Sequence, residues 1–166
     1  MEPTPTVPNP KIPTSQQEAQ DTVLRYLQTL DTLPPGNSLD GSRHRIGHMD
    51  KHCEANPAGP DSPVHVEDWR DIKLLPGTDY DAVIARTGEI WQQWAWQVIE
   101  RDGFEKPTGL GYTPDGYILH LEARNKVGAT SFLIGSSPCY PGSLRTNIPR
   151  NPPLLDQQQS ARWTAR

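Results

Sequence analysis

Three histidines, His44, His48 and His52, recur at four-residue spacing and run directly into Cys53. On a helix that spacing lines one face, and two or three imidazoles beside a thiolate form a ligand set that zinc accepts. The neighbours argue against a helix, because Arg43, Arg45 and Gly47 supply neither a cap nor an apolar stripe. On a strand the same spacing sets all three on one solvated face, with Asp50 and Glu54 as the nominal carboxylates for a second ligand shell. The expectation is a polar sheet face and no metal; a zinc-dependent hydrolase using His44, His48 and His52 is an alternative.

Other reactive residue types are weaker candidates. Ser136-Ser137-Pro138-Cys139 offers hydroxyls on a turn, without the Gly-x-Ser-x-Gly elbow or an evident relay. His120 and Glu122 share a strand face and could exchange a proton, yet simple alternation already accounts for them. Thr108-Gly-Leu-Gly111 lacks the following helix that a phosphate cradle needs, and reads as a kink at a strand entry. The chain thus carries no recognisable catalytic machinery or cofactor motif, and the reading is of a protein that is not an enzyme.

Bulk properties narrow the partners. Sixteen Lys and Arg against 20 Asp and Glu leave a net charge of -4 and a pI near 5.7, so no basic stripe is available to neutralise nucleic acid. No apolar run approaches the length of a membrane span. Two cysteines allow one bridge, but their number alone does not separate a bridge from two buried thiols.

The elements that must position these residues follow from periodicity. Residues 1–14 are rich in proline and threonine and read as a flexible, extended arm. Ser15-Gln-Gln-Glu18 is a capping box, and Ala19, Val23, Leu24, Leu27 and Leu30 then form one stripe until the Pro34-Pro35-Gly36 stop, which predicts a helix over 15–32. A short strand is expected near 43–49. Another begins at Val64-His-Val66, and a break in its alternation near Asp68 suggests a bulge.

A long helix is predicted over 78–102, with Thr78 as N-cap, Asp81 in the first turn and Gly103 past its end. At 100° per residue, Tyr80, Ile84, Thr87, Trp91, Trp94 and Val98 make its core face. Trp96 points the other way, which marks it as the residue for a ligand or partner. Downstream, Tyr117, Leu119, Leu121 and Ala123 alternate with polar residues between turns at Pro114-Asp115-Gly116 and Asn125-Lys-Val-Gly128. Thr130, Phe132 and Ile134 share one face of the next strand, which ends just before Cys139. The resulting expectation is an α+β domain over 15–142: an antiparallel sheet of four to five strands, the long helix across one face, and the N-terminal helix beside it. Residues 143–166 are expected to be an extended or disordered tail.

This order of features, a cysteine after the first helix, a Trp-bearing helix running into Asp102-Gly103-Phe104, then Asp115-Gly-Tyr117 and a hairpin ending in Cys139, resembles the LppA-like small lipoproteins of mycobacteria and related actinobacteria. The resemblance implies a monomeric domain held outside the cytoplasmic membrane by an N-terminal lipid anchor that this chain lacks, with Met1 where the lipidated cysteine would precede Glu2. It also implies a disulfide between Cys53 and Cys139, which in the chain-entropy treatment would stabilise by roughly 4 to 5 kcal/mol through a loop of about 85 residues. No catalytic residue comes with it. The implied function is binding of an envelope protein or a lipid-like ligand, with an apolar-ligand carrier lined by Trp91, Trp94, Phe132 and Tyr117 as a further alternative.

Overall fold

The computed structural model describes residues 10–28, 38–42, 49–73, 76–94, 96–101, 108–122, 131–149, 151–152 and 154–156. The expectations placed on 1–9, Leu30, the 34–36 stop, His44, His48, Gly103, Phe104, Ala123, the 125–128 turn, Thr130 and 157–166 lie outside these residues.

Helix α1 spans Gln16–Leu27. Ser15 caps it as expected, its Oγ accepting the Glu18 N–H at 3.0 Å. The Glu18 carboxylate reaches one residue farther back than a capping box requires, accepting from the Thr14 N–H at 3.2 Å and from the Thr14 hydroxyl. Ala19, Val23, Leu24 and Leu27 are buried, as the stripe predicts.

Helix α2 spans only Tyr80–Gln93, and Asp79, not Thr78, caps it by accepting the Ala82 N–H at 3.4 Å. Its C-terminus closes when Trp96 donates its backbone N–H to the Trp91 carbonyl at 3.0 Å. The apolar pattern that suggested a helix to 102 continues instead as a strand: Val98 and Ile99 are β-branched and pair with Gly111 and Leu110. Trp91 is buried as expected. Trp96 is only 8% exposed and Trp94 is 37% exposed, which reverses the roles read from a continuous helix.

Eight strands form one sheet, more than the four to five expected. They are β1 Ser38–Asp40, β2 Met49–His52, β3 Val64–Lys73, β4 Gln97–Arg101, β5 Thr108–Tyr112, β6 Ile118–Glu122, β7 Phe132–Ser136 and β8 Leu154–Asp156. Every pairing is antiparallel, in the order β4-β5-β6-β7-β3-β1-β8, with β2 also on β3. The β5–β6 turn is the predicted one, with Gly116 at φ 96° and its N–H donated to the Thr113 carbonyl at 3.1 Å.

Both helices pack on one side of this sheet. A Cβ built on Gly111 would come within 2.5 Å of the Trp91 ring, and one on Gly135 within 2.8 Å of Val23. These glycines in β5 and β7 therefore seat the helices, and Thr108-Gly-Leu-Gly111 is strand interior, not an entry kink. Leu39, Ile72, Leu119, Leu121, Leu133 and Leu155 complete the core between the layers.

Strand β3 has no bulge. Its pairing with β7 runs without a skip from Glu67 to Asp71, and the apparent break in apolar alternation arises because Asp68 and Arg70 occupy inward positions as a buried ion pair. Arg70 Nε donates to Asp68 Oδ1 at 2.8 Å, its Nη1 to the Pro152 carbonyl at 2.6 Å, and Asn151 Nδ2 to Asp68 Oδ2 at 3.2 Å. Gln20 on α1 reaches the same chain segment through Pro149 O and Asn151 Oδ1. Residues expected to be a tail are thus bound into the domain, which reaches at least to Asp156 through the pairing of β8 with β1.

Replacing Arg70 by Met should cost about 3 to 5 kcal/mol, because Asp68 stays buried without its counter-charge. Replacing both, Asp68→Leu with Arg70→Met, should recover much of that loss; urea midpoints of the two variants against wild type measure the difference.

Candidate functional site

The two-residue period that turns Val64, Val66, Asp68 and Arg70 toward the helices turns His65, Glu67 and Trp69 to the opposite face. Sheet register then assembles their neighbours. Lys51 lies opposite His65, Ser136 opposite Glu67 and Ile134 opposite Trp69, while His120 and Glu122 on β6 face Ile134 and Phe132. Among the described residues, neither helix covers this outer face.

An aromatic stripe crosses it. Lys51 Nζ sits 5.4 Å from the centroid of Trp69, Trp69 and Phe132 stack at 5.8 Å with 20° between their planes, and His120 meets Phe132 edge-on at 6.0 Å. Beside it Glu67 collects three donors. Its Oε1 is 2.9 Å from His65 Nε2, and its Oε2 accepts from the Trp69 indole at 2.8 Å and from Lys51 at 3.0 Å. The hydrogen bond with His65, with help from Trp69 and Lys51, outweighs burial and holds the Glu67 carboxyl down to about 2. An ionised Glu67 can only accept, so the proton between them sits on His65 Nε2.

The other ring nitrogen of His65, Nδ1, lies 3.5 Å from Cys53 Sγ. Cys53 follows β2 directly and Cys139 follows β7, and the two, 86 positions apart in sequence, form a disulfide with Cα atoms 6.5 Å apart. Both cysteines of the chain are used in it. The two sulfurs and His65 Nδ1 all lie within 4.8 Å of one another, a spacing that suits a metal, but thiolates are the ligands a metal needs and the bridge supplies none.

The residues singled out by sequence fare differently. Of the histidine set only His52 is described; its Nδ1 is buried without a partner among the described residues. His52 alternates with Lys51 and so projects to the side away from His65. Trp96 packs against Trp91, Trp94 and Tyr26 at centroid distances of 5.5, 5.2 and 5.4 Å, so it stabilises the core and offers no free surface. Ser137 accepts the Val66 N–H at 3.0 Å and donates to the Pro138 carbonyl at 2.9 Å, a turn role. His120 and Glu122 lie 3.8 Å apart on the outer face.

Trp91, Trp94, Phe132 and Tyr117 do not line one cavity. Phe132 lies on the far side of the sheet from Trp91 and Tyr117, while Trp94 is at the surface. A groove of about 590 Å³ runs instead along the outer side of α1, past Gln17, Asp21, Arg25 and Gln28. The same alternation that turns Val64 and Val66 inward places His65, Glu67 and Trp69 together on the opposite face, a signal present in the sequence.

No known protein family, curated protein or solved structure matches this chain.

Glu67 titrates below its ordinary value in the folded chain, so its stabilising effect is complete above pH of about 5 and disappears as pH falls through 4.5 toward 2. Wild type should lose on the order of 2 kcal/mol across that window, and Glu67→Gln should lose less over the same range, as read from urea midpoints at a series of pH values.

Proposed function

We propose that this chain is the domain of an exported, lipid-anchored cell-envelope protein that works by binding, and that its ligand is a neutral glycan laid across the outer sheet face. The observation that carries this reading is the stripe of Lys51, Trp69, Phe132 and His120, flanked by Glu67 and Glu122. Near-parallel rings offer apolar area to the C–H faces of sugar rings, and carboxylates and imidazoles alongside can accept or donate to hydroxyls. Two carboxylates on the face and a net charge of -4 disfavour an anionic ligand. A sheet face gives an acyl chain no enclosing walls, so a lipid-like ligand fits it less well.

The disulfide supports the compartment, because cytosolic thiols are kept reduced whereas exported proteins retain their bridges. The Pro-rich residues ahead of α1 suit a spacer between a lipid and the domain.

Titration with soluble, uncharged cell-wall oligosaccharides should quench tryptophan fluorescence and shift amide resonances of β3, β6 and β7. Trp69→Ala and Phe132→Ala should each weaken binding about tenfold, the loss of one aromatic contact, and Trp94→Ala should leave it unchanged. Resonance shifts confined to α1 or α2, or an equal loss with Trp94→Ala, would remove this face as the binding site.

A further inference from the structure

The bridge sits at one end of the face just described, and its surroundings are chemical as well as structural. We propose that Cys53–Cys139 is a redox-active pair that exchanges with dithiols, with His65 and Glu67 as the groups that activate Cys53. The observation is the sequence of contacts Glu67 Oε1···Nε2 His65 Nδ1···Sγ Cys53, at 2.9 and 3.5 Å. A carboxylate that fixes an imidazole, which in turn faces a sulfur, is the arrangement that stabilises a thiolate.

A thiolate of an incoming dithiol attacks Sγ of Cys139, which is exposed. The S–S bond breaks and its electron pair leaves on Cys53, whose thiolate forms beside the His65 ring. The second thiolate of the donor then attacks its own sulfur in the mixed disulfide and releases Cys139. Two electrons and two protons pass from the dithiol to the protein, and the donor leaves as a disulfide. In the reverse direction the Cys139 thiolate attacks the partner disulfide and expels one of its thiolates, and the Cys53 thiolate then attacks Sγ of Cys139 in the mixed disulfide and releases the partner as a dithiol. A better-stabilised leaving thiolate speeds cleavage, so His65 sets both the direction of attack and its rate.

Reduction leaves the two thiols near each other, because the backbone holds both sites without the bridge. The Cys53 N–H donates to the Pro63 carbonyl at 2.9 Å, and Val64 and Tyr140 exchange hydrogen bonds at 2.9 and 2.8 Å directly after Cys139. Among the described residues, the charged groups on the strands beside the pair are Lys51 from β2 and Glu67 from β3, with Glu54 next to Cys53 in sequence. Lys51 is engaged by Glu67, and the His65 imidazole is the ring that faces Cys53.

The test compares wild type, His65→Gln and Glu67→Gln. Thiolate absorbance near 240 nm is followed against pH in the reduced chains, and the rate of reduction by dithiothreitol at neutral pH is followed by intact mass. Wild type should show one thiolate titrating well below the ordinary cysteine value of about 8.5. His65→Gln should return it to that value and slow reduction about tenfold, and Glu67→Gln should fall between the two. Circular dichroism of the oxidised variants guards against a general loss of structure, and if His65→Gln fails to fold, the wild-type titration decides alone. Both wild-type thiols titrating near the ordinary value, identical rates in wild type and His65→Gln, or unfolding of wild type on reduction would each overturn the proposal.

Discussion

Asp68 and Arg70 are completely buried on the central strand, and much of the molecule is arranged to keep them company. Two ions removed from water cost several kcal/mol each, and their mutual attraction offsets this only when the remaining donors and acceptors are also satisfied. The segment at Pro149–Pro152 does that: it brings a carbonyl to Arg70 and an amide to Asp68, and Gln20 secures it from α1. Once the chain is held there, Leu155 can enter the core and β8 can pair with the three-residue β1, an element too short to persist alone. The ion pair is thus the reason the C-terminal segment is part of the fold.

The same strand divides the molecule into two chemistries. Inward, alternate positions from Val64 to Ile72 meet helices, leucines and the buried polar network; outward, His65, Glu67 and Trp69 meet Lys51, Phe132 and the bridge. A shift of one residue in the β3–β7 register would exchange these sets, exposing the valines and burying Glu67. The inner face has strong preferences, so it sets the register, and the outer constellation is positioned by a core it does not touch.

Local signals in the sequence translated well into structure. Ser15 caps α1, Gly116 closes the β5–β6 turn, and the alternation of Leu119 and Leu121 gives β6. What failed depended on contacts distant in sequence. The run from Trp91 to Ile99 is apolar enough to continue as a helix, and only pairing with β5, where Gly111 admits Trp91, makes its second half a strand. Asp68 and Arg70 looked like a defect in alternation because a buried pair is invisible until its partners at 149–152 are in place. Of the outer face, the alternation that puts His65, Glu67 and Trp69 together was legible; the proximity of His65 to Cys53, which needs β2 folded onto β3, was not.

The bridge shows why stabilisation and reactivity need not compete here. By closing a long loop it acts mainly on the unfolded ensemble, worth roughly 4 to 5 kcal/mol in the chain-entropy treatment. In the folded chain, by contrast, the two sulfurs are placed by the β2–β3 ladder and the Val64–Tyr140 bridge, which do not require the S–S bond. Stability therefore enters through one state and geometry through the other. A bridge whose geometry is held by backbone hydrogen bonds can open without dispersing its thiols, and the imidazole beside Cys53 is fixed by Glu67 on that same ladder, independently of the S–S bond.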